Sequence, residues 1–182
     1  MNRVPDTADT ADIDIRIGRV ENLFQTFDPA PFRDRDLDPA ATQYIVDWAR
    51  ELNRKVPLAI RLHVQEPGQE SEAAKQAIGA VHSYFEHRAQ LAENELRELF
   101  RMGRIYLAVG LLILVLSLIG AEFIVNVFGE GASVSIIAES LIILGWVANW
   151  KPLETFLYEW WPIRREVALF RRLAAADVTL RE

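Results

Sequence analysis

Between Ile105 and Trp150 the chain runs 46 residues without a lysine or an arginine. Its only charges are Glu122, Glu130 and Glu139. The same chain is 25% charged overall, and its 20 basic residues are divided between the flanks, 14 in 1–104 and 6 in 151–182. A segment this long and this poor in charge would present a large apolar surface to water, whereas a bilayer accepts it. Membrane insertion is therefore the first expectation, and it limits the rest of the chain to what fits on either side.

The segment divides once. Residues 105–128 are 24 residues, about 36 Å as a helix, enough to cross a bilayer with some tilt. Gly129-Glu130-Gly131-Ala132-Ser133 reads as a tight turn. Residues 134–150 form a second apolar stretch near the lower limit for a span. Together, 105–150 is expected to be a transmembrane hairpin. Arg97, Arg101 and Arg104 precede it, Lys151, Arg164 and Arg165 follow it, and the turn has no basic residue. The positive-inside rule then predicts a multi-pass protein with both termini cytoplasmic. Tyr106, Trp146 and Trp150 mark that same interface, as aromatic belts do.

Ahead of the hairpin the pattern is α/β. Residues 1–12 are mostly Asp, Thr and Ala with no apolar core, so they read as a disordered tail and contain no signal peptide. Ile13-Asp14-Ile15-Arg16-Ile17 alternates strictly and predicts a strand with one buried face, extending toward Val20. Phe24, Phe27 and Phe32 follow around Pro29 and Pro31 and are expected to cover an edge of the core. Asp38-Pro39 is a helix start, an Asp cap with Pro in the first turn. Ala41, Tyr44, Ile45, Trp48 and Leu52 continue at helical spacing to about Arg54. Leu58, Ile60, Leu62 and Val64 alternate with Ala59, Arg61 and His63 as a second strand. Strand, helix, strand at this spacing predicts a parallel βαβ unit. Pro67-Gly68 breaks the chain, and Ser71 is a candidate cap for a long amphipathic helix through Ala74, Ile78, Val81, Phe85, Ala92, Leu96, Leu99 and Gly103. Arg88 breaks the apolar spacing of that helix, which runs on into the first span.

After the hairpin, Lys151-Pro152 is expected to end or kink the second span, and Pro162 to break the chain again. Leu153, Phe156, Leu157, Trp160 and Trp161 share one helical face, with Glu154, Thr155 and Glu159 off it. Residues 163–175 form a further amphipathic helix, and Val178-Thr179-Leu180 alternates as a short strand. Two strands alone make a thin sheet. Residues 178–180, or a neighbouring subunit, would supply the third.

The motifs that carry chemistry are weak. With no cysteine there is no disulfide framework and no thiolate site or nucleophile, and a net charge of −6 argues against nucleic acid. His82 and Glu86 share a helix face at i and i+4, but His87 lies off it and no third metal ligand is evident. Asp34, Asp36 and Asp38 resemble the start of a calcium loop, yet Pro39 and Ile45 stand where that loop needs Gly and Glu. Those aspartates instead pair with Arg33 and Arg35 or cap the helix. No phosphate loop or nucleophile elbow occurs. No metal, cofactor or catalytic residue is assigned.

The polar groups near the bilayer remain. Glu122 and Glu139 are equidistant from the turn and lie at one depth in a hairpin. Their carboxyl groups either snorkel to the outer interface, meet a partner subunit, or line an ion or proton path. Arg164, Arg165, Arg171 and Arg172 are candidates for lipid headgroup contact, and Trp146, Trp150, Trp160 and Trp161 for interfacial aromatics.

Glu139-Ser140-Leu141, then Gly145-Trp146-Val147-Ala148-Asn149-Trp150-Lys151-Pro152-Leu153-Glu154 and Leu157-Tyr158-Glu159-Trp160-Trp161-Pro162, resembles a pattern in uncharacterised bacterial membrane proteins with a cytosolic portion, two spans and a basic tail. The resemblance covers mainly the C-terminal third. It implies a bacterial inner (plasma) membrane location and brings no activity.

The expected fold is an α+β membrane protein. A small βαβ-type cytosolic domain (13–104) leads by its long helix into a transmembrane hairpin (105–150). Interfacial and cytosolic helices (151–182) end in the possible strand. The expected role is a non-catalytic membrane-anchored scaffold that oligomerises or binds a membrane protein partner. The alternative is an oligomeric ion or proton pathway.

Overall fold

The structure, a computed structural model, describes residues 10–25, 36–54, 56–64, 72–129 and 131–181, and leaves out the side chains of residues 21 and 72–75. The expectations for residues 1–9, Phe27, Phe32, Arg33, Arg35, Pro67-Gly68 and the Ser71 cap lie outside this set. The elements are β1 (Ala11–Ile17), a 3-10 helix (Val20–Leu23), α1 (Pro39–Glu51), β2 (Leu58–Val64), α2 (Glu72–Phe128), α3 (Ala132–Ala148), α4 (Trp150–Glu154), a π-helical turn (Thr155–Glu159), α5 (Trp160–Ala174) and β3 (Asp177–Arg181). The protein is mostly helical, with one small sheet and two long apolar helical runs. The chain divides into two units, residues 1–92 with 165–182, and residues 93–164.

In the first unit the sheet order is β1-β2-β3, and both pairings are parallel. β1 aligns Ile13 with Ile60 and Ile15 with Leu62, and β3 aligns Val178 with Ile60 and Leu180 with Leu62. These alternate residues make one apolar face. Ile45, Val46 and Ala49 of α1, Ala77, Val81 and Phe85 of α2, and Phe170 and Leu173 of α5 complete a single core with it. Asp38 caps α1 as expected, its Oδ1 accepting from the Ala40 and Ala41 amides at 2.9 and 3.2 Å. Phe24 is buried and bridges to Leu37. The third strand thus comes from the C-terminus of the same chain.

Four boundaries need correction. Ala11 and Asp12 belong to β1 rather than to a tail, because Asp12 pairs with Arg61 at 2.5 Å. β1 ends at Ile17, and Val20 is buried from the 3-10 helix instead of from a strand. α1 ends at Glu51, three residues short of Arg54. Pro162 does not break the helix. The missing N–H is absorbed by the π-helical turn just upstream, so α5 starts at Trp160 and passes through Pro162. The interruption expected at Lys151-Pro152 falls just ahead of it, at Asn149. The proline leaves the Ala148 carbonyl without its helical donor, α3 ends there, and helix resumes at Trp150.

The second unit holds the apolar run. α2 is one uninterrupted helix of 57 residues, and its residues 93–128 belong to this unit. Two helical runs, Gln76–Phe128 and Ala132–Ala174, are long and apolar enough to cross a membrane, and in each only 17% of the most apolar stretch is buried. A core helix of a water-soluble protein would hide that surface. Leu112, Leu116, Ile119, Phe123, Ile136 and Ile143 instead point outward.

Candidate functional site: the hairpin seam and the polar groups around it

The arms of the hairpin meet through small residues. On α2 these are Gly103, Gly110 and Ser117; on the returning arm they are Ala138, Gly145 and Pro152, and all six are buried. Each set repeats every seven residues, which keeps one face of each helix on the contact line of a left-handed pair. A Cβ on Gly110 would sit 2.8 Å from Asn149 Oδ1 and 2.9 Å from the Ala148 carbonyl oxygen, and one on Gly145 would sit 2.8 Å from Leu114 Cδ1. Both positions are therefore limited to glycine by close approach. Such approach is how apolar helices associate where lipid supplies no hydrophobic drive.

Three buried polar side chains, Ser117, Asn149 and Thr155, lie along this seam. Asn149 is buried, and its Nδ2 donates to the Gly110 carbonyl across the hairpin at 3.0 Å and to the Gly145 carbonyl on its own arm at 2.9 Å. Six residues on, Thr155 is buried, and its hydroxyl donates to a Glu159 carboxylate oxygen at 2.7 Å. The other oxygen of that carboxylate accepts from Lys151 Nζ. Lys151 also lies 3.5 Å from Glu154. The π-helical turn brings Lys151 and Glu159, eight residues apart, into contact. The Lys151 hydrogen bond, then that from Thr155, holds the Glu159 carboxyl below its ordinary pKa. The hydrogen bond to Glu159 holds the Lys151 ammonium above its own ordinary value. Phe100 stacks near Phe156 and Trp160, with centroids 6.1 and 6.4 Å away.

Glu122 and Glu139 follow the buried seam residues Ala121 and Ala138 by one position each, and both are exposed. The facing pairs Gly103–Thr155, Gly110–Asn149 and Gly120–Leu141 are nearly symmetric about the turn, so the two carboxylates sit at one level. One residue is about 100° of rotation in a helix. The same offset on two antiparallel helices puts both groups on the same broad side of the hairpin, turned away from the seam.

The other residues singled out from sequence separate into distinct roles. Trp146, Trp150 and Trp161 are exposed, and Trp160 is half-buried with its Nε1 donating to the Phe156 carbonyl at 2.9 Å. The Arg164 guanidinium lies 5.6 Å over the Trp160 ring. Arg165 and Arg171 are exposed. Arg172 is committed to the fold, because it donates to the Asn53 and Val56 carbonyls at 2.6 Å each and ties α5 to the loop before β2. Burial, with Arg54 nearby, pulls its pKa below the ordinary value. His82 Nδ1 donates to the Ala174 carbonyl at 2.7 Å, which accounts for this histidine structurally. Among the described residues no group of three or more His, Cys, Asp or Glu could hold a metal. A cavity of about 310 Å³ lies between α1 and the residues Tyr84, Arg88, Glu166 and Phe170. Arg88 lies over the Phe170 ring at 5.1 Å, and Tyr84 Oη lies 3.5 Å from the Thr42 hydroxyl.

The sequence reading missed the seam, Asn149 and the Lys151–Glu159 pair. The seven-residue recurrence of small residues was the signal available for the first. No protein family, curated protein or solved structure matches the chain.

Proposed function

We propose that the protein is a non-catalytic, membrane-anchored interaction module whose two-helix hairpin spans the bilayer and holds the sheet unit at its cytoplasmic surface. The observation that carries this is the pairing of β2 with β3. β2 precedes the hairpin and β3 follows it. The parts of the chain on either side must therefore occupy the same side of any membrane the hairpin crosses. The basic flanks support the cytoplasm as that side, and a bacterial inner membrane is the location that the resemblance in the C-terminal third implies. The hairpin lies inside the crossover that joins two adjacent strands, so the anchor is part of the domain's own connectivity. Lipid-facing carboxylates are costly. Glu122 and Glu139 on one side of the hairpin support assembly into a homo-oligomer or with a membrane protein partner.

The test replaces residues 105–150 with a short Gly-Ser linker. The shortened protein is expected in the soluble fraction with the thermal transition of its sheet retained. Continued membrane association would contradict the anchor.

The shared level and side of Glu122 and Glu139 also support a second reading, an oligomeric ion or proton pathway. Proton flux into liposomes that depends on both glutamates distinguishes it from the first.

A further inference from the structure

In the order β1-β2-β3, β1 is an edge strand. The Ala11 amide donates to the Pro57 carbonyl at 2.8 Å. The odd residues of β1 therefore bond β2, and Asp12, Asp14 and Arg16 turn their backbone groups to the open edge. No strand among the described residues pairs there. Tyr44 Oη donates to the Asp14 carbonyl at that edge, at 3.4 Å. Tyr44 and Trp48 have ring centroids 6.0 Å apart and are 43% and 44% exposed, although their helical spacing predicts the core. An open edge is a template for another chain, and folds guard it with Pro, Lys or a covering element. Ala11–Ile17 contains neither Pro nor Lys. Tyr and Trp are the side chains that most often anchor an interface.

The charges along β1 select the occupant. Asp12 pairs with Arg61 at 2.5 Å and Asp14 with His63 at 3.0 Å, while Arg16 is exposed with no ion-pair partner among the described residues. Both signs on one strand complement an antiparallel copy of that strand. In such a pair, residues whose backbone groups face the partner stand opposite one another, so even positions meet even positions. A register centred on Ile13 sets Asp12 against Asp14 twice. One centred on Asp14 sets Arg16 against Asp12 but Asp14 against itself. One centred on Ile15 sets Arg16 against Asp14 twice, with no like pair, and continues the apolar face by Ile13 against Ile17 and Ile15 against Ile15. Opposite charges across strands strengthen a sheet and like charges weaken it. We infer that the open edge of β1 pairs antiparallel with β1 of a second copy of this chain, in the register centred on Ile15. Tyr44 and Trp48 of each copy then stand beside the joint. The inference rests on the interaction-module reading and names the partner. Anchorage in one membrane favours it by raising the effective concentration of the two edges.

The test uses the full-length protein in detergent micelles, read by particle mass over a concentration series and by hydrogen exchange at the Asp14 and Arg16 amides. Both amides should be protected in the associated protein and exchange freely on dilution. Arg16→Glu sets acid against acid at both charged pairs and touches no ion pair within one copy. It should raise the dimer dissociation constant at least about tenfold, with the thermal transition of the dilute protein unchanged. Asp14→Arg/Arg16→Glu exchanges the signs and should restore association. In the register centred on Asp14 the same exchange would make every opposed pair alike in sign. A monomeric particle at every concentration overturns the proposal, as does a dimer that Arg16→Glu leaves intact. Freely exchanging edge amides in the associated protein overturn it too, as does a sign exchange that fails to restore association. Any of these results in a chain that still fractionates with membranes refutes this inference alone, whereas an unmodified chain found outside the membrane fraction refutes the reading beneath it.

Discussion

Asn149 donates to the carbonyl of Gly110 across the hairpin at 3.0 Å, and the absence of a Cβ at Gly110 is what lets the two backbones approach that closely. The relationship fixes register as well as distance. A slip by one residue would turn the seam residues of either arm outward and leave the Asn149 amide only the Gly145 carbonyl of its own arm.

Gly110→Ala places a methyl group against a backbone carbonyl that cannot rotate away. Overpacking of this kind costs about 1–3 kcal/mol. Asn149→Leu removes the interhelical hydrogen bond, about 0.6 kcal/mol on average in membrane proteins, and adds steric conflict. Both variants should lower the unfolding midpoint in detergent, with Gly110→Ala lower than Gly120→Ala. A Cβ at Gly120 would meet only Leu141 Cδ1, at 3.5 Å. Equal midpoints for the two alanine variants would refute the seam.

Deleting residues 176–182 removes β3, with the buried Ala176 and Val178. A buried valine contributes roughly 1.5–3 kcal/mol, a large part of a small domain's stability. The sheet unit should become protease-sensitive while residues 93–164 stay protected in the membrane fraction. Unchanged proteolysis would show that β3 is dispensable.

The strands and the parallel pairing of β1 with β2 were legible because the residues alternate cleanly, whereas the order β1-β2-β3 was not, since alternation does not say which edge a third strand joins. The instability of two strands alone called for a third but left open whether residues 178–180 or a neighbouring subunit supplied it; the structure takes it from the same chain. Asn149 was not legible, since one amide in an apolar run gives no sign of which way it points. The Lys151–Glu159 contact was hidden because eight residues apart are not neighbours on an ordinary α-helix, and only the π-helical turn makes them so. The expected break at Pro162 failed for the same reason.

Glu159 has a lowered pKa and Lys151 a raised one. The stability contributed by Glu159 is fully present above the ordinary glutamate value of 4.5 and is lost as pH falls through the lowered one. That from Lys151 is fully present below 10.5 and is lost as pH rises through the raised value. Glu159→Gln should therefore flatten the acid limb of the stability profile below pH 4.5 and leave the profile between pH 5 and 9 unchanged in shape. An identical acid limb in the variant would show that the pair contributes nothing.

Glu122→Gln and Glu139→Gln keep hydrogen-bonding capacity, whereas leucine does not. If these groups join subunits, the glutamine variants should keep the oligomer mass and the leucine variants should loosen it, by about 1 kcal/mol per lost hydrogen bond. Intact assembly in all four variants would assign both carboxylates to the outer interface.

The most direct measurement of the central claim is cysteine accessibility in intact cells, made clean by a chain with no cysteine of its own. Ser133, at the hairpin tip, and Ser83, on the α2 segment that packs on the sheet, are both exposed. The account predicts that Ser133→Cys reacts with a membrane-impermeant thiol reagent from outside, while Ser83→Cys and Thr179→Cys react only after lysis. Labelling of Ser83→Cys from outside, or opposite behaviour of Ser83→Cys and Thr179→Cys, would contradict a hairpin anchor closed by a cytoplasmic sheet.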